Sequence, residues 1–229
     1  MVEFNHRVLA KLQDPLLLLA ERLRPAILEG RYNLVAVDGI SARCVAWPIW
    51  KWINAINESL GRGKIPIIFI NDGKEADCLE VQEQFERWEK FHEVRLSEGV
   101  RALVVTENMA FGSSLGGVRR ILNIRNIGFD VATISRMHNT DYYRGWGYIN
   151  PDTGIISGDT DRLGSSLLFS LNGRADLTGV FGARIGGVKI IRPIRRKDSS
   201  IHQARVDINT LAQMLIARDI SQKGVLNVR

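Results

Sequence analysis

The chain has 229 residues, 45% of them hydrophobic and 24% charged, a balance that fits a folded globular domain with its own core. Its longest apolar runs are too short to span a bilayer, and no basic-then-apolar leader pattern opens it. Two cysteines, Cys44 and Cys78, form neither a disulfide framework nor a metal spacing, so a reducing, cytoplasmic setting without membrane insertion is expected. The formal charge of +6 is unevenly spread: residues 72–98 hold nine acids and four bases, a net of −5, which leaves +11 for the remainder. Such a surface can attract phosphate-bearing ligands or nucleic acid, although solvated charges need no ligand at all.

In chain order, residues 8–28 read as helical with a break at Pro15, where Asp14 can cap and proline can open the second piece. Leu16, Leu19, Leu23 and Ile27 form its apolar stripe and Gly30 its stop. Residues 33–37 (NLVAV) are the first strand, running into the polar turn Asp38-Gly39-Ile40-Ser41-Ala42-Arg43. A helix follows over about 48–60, with Trp47, Trp50 and Trp52 crowding its start as core or interface residues. Residues 65–70 (IPIIFI) are a second buried strand, ending in the turn Asn71-Asp72-Gly73, and 74–94 a long amphipathic helical region. His92 there is a surface or boundary residue.

The third strand is the run Ala102-Leu103-Val104-Val105. Glu107 and the small-residue turn Gly112-Ser113-Ser114 follow, and then a helix to about Asn126 carrying Leu115, Val118, Ile121 and Leu122, with Gly128 as its stop. A strand, a Gly/Ser loop and a helix start form an anion site, because unpaired N–H groups and the helix dipole both favour phosphate. Ser113 or Ser114 acting simply as the helix cap is the plainer alternative. Residues 130–135 (DVATIS) are a fourth strand. Strands alternating with helices predict an α/β fold with a mostly parallel twisted sheet, whose ligands collect at the carboxyl ends of the strands. Loops 38–43 and 106–114 therefore share one sheet edge.

Beyond Arg136 the periodicity fades into loops and short strands, an irregular cover region. Residues 186–194 read as a strand, Arg195-Arg196-Lys197 as a basic run and 208–220 as a final helix. The organisation expected is packing helices over 1–32, an α/β core over 33–136, and a cover region with a terminal helix over 137–229, all in one domain. The tryptophan-rich segment and the long acidic helix are candidate homo-oligomer interfaces.

The two loops together resemble those of the type I phosphoribosyltransferase family. That family's motif is an apolar strand, two acids, two or three small or apolar residues, then Thr-Gly-Gly-Thr and a leucine opening a helix. Here Val104-Val105 lead to Thr106-Glu107, Asn108-Met109-Ala110 and Phe111-Gly112-Ser113-Ser114-Leu115 without a gap. Glu107 matches the second acid, Gly112 the first glycine, Ser114 the final hydroxyl and Leu115 the helix opener. DGISAR resembles the family's pyrophosphate loop, with Arg43 as its cation. Thr106, Phe111 and Ser113 depart from the pattern, at the first acid, the first threonine and the second glycine.

The resemblance implies binding of phosphoribosyl diphosphate or a nucleotide and transfer of the phosphoribosyl group to an acceptor, with Mg²⁺ carried on the diphosphate. Asp38, Gly39, Ser41, Ala42 and Arg43 would hold the pyrophosphate. Ala110, Phe111, Gly112, Ser113 and Ser114 would hold the 5′-phosphate, with Thr106 and Glu107 at the ribose hydroxyls. Glu107 and Arg43 would carry catalysis. Trp146 and Tyr148 are candidates for stacking on an acceptor base. Two other readings stay open. One is a catalytically inactive sensing or interaction module of the same fold, for which nucleic acid has no supporting motif. The other is a serine hydrolase in which Gly112-Ser113-Ser114-Leu115-Gly116 supplies Ser114 as nucleophile, with Asp176 or Asp198 and His202 downstream. Five residues, Glu107 to Phe111, separate that motif from the polar end of the predicted strand, whereas a nucleophile elbow needs the strand to run almost directly into the turn.

Overall fold

A computed structural model describes residues 3–39, 42–70, 78–92, 96, 99–109, 115–136, 154–158, 180–185, 188–193 and 199–226. Five parallel strands form its centre: β1 (Leu34–Asp38), β2 (Ile67–Ile70), β3 (Arg101–Met109), β4 (Gly128–Arg136) and β5 (Ile155–Ser157). Their spatial order is β2-β1-β3-β4-β5, every neighbouring pair parallel. Helices α1 (Arg7–Ala10), α2 (Gln13–Leu28), α3 (Arg43–Ser59), α4 (Cys78–His92), α5 (Gly116–Ile124) and α6 (Ser199–Leu226) complete the parallel unit. An antiparallel pair, β6 (Val180–Ile185) and β7 (Val188–Pro193), forms a separate small sheet beside α4 and β2. The expected α/β class is thus the fold observed.

Both faces of the sheet are covered, which is why β1 is buried along its whole length. Alternation along the strands splits the core in two. Val35, Val37, Leu103 and Val105 pack under α2, α3 and α6, against Leu19, Ile49, Ile53, Ile208 and Leu211. Leu34, Ala36, Ala102, Val104 and Val131 pack under α4 and α5, against Val81, Phe85, Val118, Ile121 and Leu122.

Several boundaries differ from the sequence reading. The break between the first helices falls at Lys11 and Leu12, while Pro15 sits in the first turn of α2, where its missing N–H costs nothing. Helix α3 begins at Arg43 rather than near Pro48. Strand β3 runs four residues past Val105, because polar Thr106 continues the ladder opposite Thr133. Helix α5 stops at Asn126 and not at Gly128, which already belongs to β4. Asn126 takes a left-handed φ of 53°, and the N–H groups of Asn126 and Ile127 bond the carbonyls of Asn123 (3.0 Å) and Leu122 (2.8 Å). That is a Schellman ending, with Ile127 and Leu122 packed in the same core. Gly30, the predicted stop, ends α2 in the same way. The last helix starts at Ser199, well before residue 208.

Candidate functional site

The order β2-β1-β3-β4-β5 places a topological switch point between β1 and β3. From β1 the chain leaves into α3 on one face. From β3 it leaves into α5 on the other. A crevice opens at the carboxyl ends of such a strand pair, and it is where open α/β sheets bind ligands. Both predicted phosphate loops leave these two strands, so the shared edge inferred from sequence is observed. The loops are shorter than expected: Thr106 and Glu107 lie in β3, and Arg43 is the first residue of α3.

On the β1 side, Gly39 turns the chain with φ at +82°, a conformation that L side chains rarely adopt, and donates its N–H to the Ile70 carbonyl at 2.8 Å. Ala42 is buried and stands at the cap position of α3. At α5 that position is held by Leu115, not Ser113 or Ser114. Neither Ala42 nor Leu115 has a side chain able to accept a hydrogen bond, so neither caps the first-turn N–H groups at this edge.

Beneath α5 lies a feature that the sequence did not reveal. Thr106 pairs with Thr133 in register, and Thr133 with Ser157. Asp38 extends β1 one residue past the Val37–Val105 pair, level with Thr106. Strand alternation puts all four on the α5 face, and all are buried, at 5% exposure or less. The Thr133 hydroxyl donates to the Ser135 carbonyl at 2.8 Å, and Ser157 Oγ lies 3.5 Å from the Ile134 carbonyl. The apolar core on this face thus ends in a row of one carboxyl and three hydroxyls across four strands.

On the opposite face, α3 carries a stripe of Arg43, Trp47 and Lys51 at helical spacing. The Arg43 guanidinium lies 5.5 Å from the Trp47 ring centroid and the Lys51 ammonium 5.6 Å from it. Trp47 Nε1 donates to Asn209 Oδ1 on α6 at 3.3 Å. Trp52 shares a small hollow with Leu215 farther along both helices. Helices α3 and α6 therefore run side by side in one direction, which brings Arg205, one turn before Asn209, level with Arg43. Burial and the nearby Arg205 charge both pull the Arg43 pKa down. Of the tryptophans, Trp52 is in the core, while Trp50 Nε1 ties α3 to the Ile65 carbonyl at 2.8 Å. His92 is exposed and stacks on Trp88, with ring centroids 4.6 Å apart.

Asp38, Gly39, Ala42, Arg43, Thr106 and the backbone of Glu107 are thus brought to one edge. Ser41, Ala110, Phe111, Gly112, Ser113, Ser114, Trp146, Tyr148, Asp176, Asp198 and the run 195–197 lie outside the described residues. Extension of β3 to Met109 shortens the gap before Gly112 to Ala110 and Phe111, which removes most of the spacing argument against a nucleophile at Ser114.

Neither a family model nor a curated protein sequence matches the chain. Among solved structures it is similar to an adenine phosphoribosyltransferase at 9% identity and a TM-score of 0.36, over 62% of this chain and 78% of that one. It is also similar to the Saccharomyces cerevisiae adenine phosphoribosyltransferase complexed with an imino-altritol bisphosphate and adenine, at 10% identity and a TM-score of 0.38, over 66% and 78%. TT1426 from Thermus thermophilus matches at 14% identity and a TM-score of 0.35, over 75% of this chain and all of that one. These are likenesses of fold, and the reading of the site rests on this chain's own residues. No helix among the described residues is long and apolar enough to cross a membrane.

Proposed function

We propose that this chain is a phosphoribosyltransferase-like protein that binds phosphoribosyl diphosphate or a nucleotide between β1 and β3 and transfers the phosphoribosyl group to an acceptor. The observation that carries the reading is the placement of the two phosphate-type loops. They leave adjacent central strands at the switch point, and their helices start on opposite faces, so one ligand can touch both. Arg43 and the N–H groups of residues 40–42, beyond the Gly39 turn, would hold the diphosphate, with charge-assisted bonds stronger than neutral ones. The N–H groups of 110–114 would hold the 5′-phosphate. Glu107 would orient the ribose hydroxyls.

Displacement at the ribose C1 builds positive charge on the sugar while the diphosphate departs. Magnesium, when bound, neutralises that departing charge.

A second reading is a module that binds the phosphoribosyl group without turning it over. Thr106 favours it: the residue at the family's first acid is buried in the sheet, 2% exposed, as part of the hydroxyl row.

Calorimetric titration with phosphoribosyl diphosphate and Mg²⁺ tests both. Binding that is lost in Arg43→Ala and Glu107→Ala supports the shared site, and pyrophosphate release with a nucleobase selects the transferase. No binding at millimolar ligand sinks both readings.

A further inference from the structure

Far from the strand edge in sequence, three side chains meet where the start of the chain crosses α6. His6 Nδ1 lies 2.9 Å from Asp207 Oδ2, and His6 Nε2 lies 3.4 Å from Ser200 Oγ. Ser200 and Asp207 are two turns apart on α6, and the imidazole bridges them. Asp207 is 1% exposed and accepts three more hydrogen bonds, from Asn5 N–H (3.0 Å), Asn5 Nδ2 (2.9 Å) and His6 N–H (2.8 Å). Burial alone would raise its pKa. The bonds from Asn5 and His6 overcome that and hold the carboxyl below its usual range.

An ionised carboxylate only accepts, so the Nδ1 atom of a neutral His6 must carry the ring proton. The lone pair of Nε2 then faces the Ser200 hydroxyl. The imidazole is 16% exposed and Ser200 is half-buried, so a small molecule can reach both. Ser200 also sits in the first turn of a long helix, where backbone N–H groups lack intrahelical partners.

We propose that Ser200, His6 and Asp207 form a nucleophile–base–carboxylate array that accepts acyl groups from small esters. Nucleophile, base and orienting acid stand in the order and through the same ring atoms that serine acyl transfer requires. Ser200 Oγ bonds the ester carbonyl carbon while its proton passes to His6 Nε2. The carbonyl–alkoxide bond breaks, and the departing alcohol takes that proton. Water then attacks the acyl-serine, again losing a proton to His6, and releases the carboxylic acid and the free hydroxyl. Asp207 keeps the ring oriented and steadies its positive charge. The site stands apart from the phosphoribosyl reading, and either can fail alone.

The test is labelling of the full chain with a fluorophosphonate, mapped by peptide mass spectrometry, beside hydrolysis of p-nitrophenyl acetate. The expected result is phosphonylated Ser200, with ester hydrolysis falling at least tenfold in Ser200→Ala and in His6→Asn. Circular dichroism melting establishes that both variants are folded; His6→Asn keeps the backbone bond to Asp207. An unlabelled Ser200, a label found at Ser114 alone, or equal labelling of wild type and folded His6→Asn overturns the proposal.

Discussion

Arg101 and Asp130 meet at the amino end of β3 and β4, the guanidinium donating to the carboxylate at 2.8 Å and 3.2 Å. The same carboxylate accepts from the Tyr32 hydroxyl at 2.8 Å and from the Gly154 N–H at 2.8 Å. One side chain therefore ties two strands to the chain entering β1 and β5. The last tie matters most, because β5 is only three residues long and enters the sheet through Gly154. In Asp130→Ala a partly exposed arginine, the buried Tyr32 hydroxyl and the half-buried Gly154 N–H lose their acceptor. We expect a loss of about 3 kcal/mol, the lower end for breaking a buried pair. Urea unfolding measures it, and a change below about 1 kcal/mol would show that water replaces the carboxylate.

The Asp130 network also sets an acid limit. Burial by itself raises this carboxyl, but the bonds from Arg101, Gly154 and Tyr32 outweigh it and hold the pKa below the usual value. Asp207 is held down likewise. A carboxyl depressed by folding adds stability above its unfolded pKa, about 4, and loses it as pH falls through the folded value. The melting temperature should therefore stay level between about pH 7 and 5 on these groups' account and drop below about 4. Asp130→Asn should flatten part of that drop. An identical acid slope in the variant would remove Asp130 from the explanation.

The turn at Asn126 gives a separate check on the backbone. Its φ of 53° costs an ordinary L residue about 1 kcal/mol, which glycine avoids and asparagine partly offsets. Asn126→Ala should be less stable than Asn126→Gly by about that amount. Thermal melts of the pair decide it, and equal stabilities would mean that the Schellman bonds adapt to a different turn.

The parallel core was legible because its apolar runs are short, rich in branched residues and separated by helical patterns, as at Val104-Val105 and Leu34–Val37. The shared sheet edge from which the two loops leave was legible for the same reason, since each polar turn directly follows such a run. The buried row Asp38, Thr106, Thr133 and Ser157 was not, because polarity alone reads as a strand's end. The ladder satisfies their backbone groups, and the Ser135 and Ile134 carbonyls lie within reach of the Thr133 and Ser157 hydroxyls. The early start of α3 was hidden because Ala42 carries no capping side chain. Strand β5 was hidden by its length and by its dependence on Asp130, 24 residues away from Gly154. Arg205, His6 and Ser200 gain their meaning only from contacts made by α6, which no local pattern encodes.

Arg205 offers a direct check on the strand-edge site. It stands level with Arg43, close enough for its charge to lower the Arg43 pKa. If the diphosphate binds at this edge and touches both guanidiniums, Arg205→Ala should weaken binding of phosphoribosyl diphosphate about tenfold, the scale of one charge-assisted bond. Arg205→Lys should recover part of it, because charge returns without the planar fork. Trp47→Phe should cost less, since a smaller ring still supports the Arg43 guanidinium. Calorimetry on the three variants, with inorganic pyrophosphate as a second ligand, separates the contributions. If Arg205→Ala leaves both affinities unchanged while Arg43→Ala abolishes them, the anion is held from α3 alone and α6 serves only to brace Trp47.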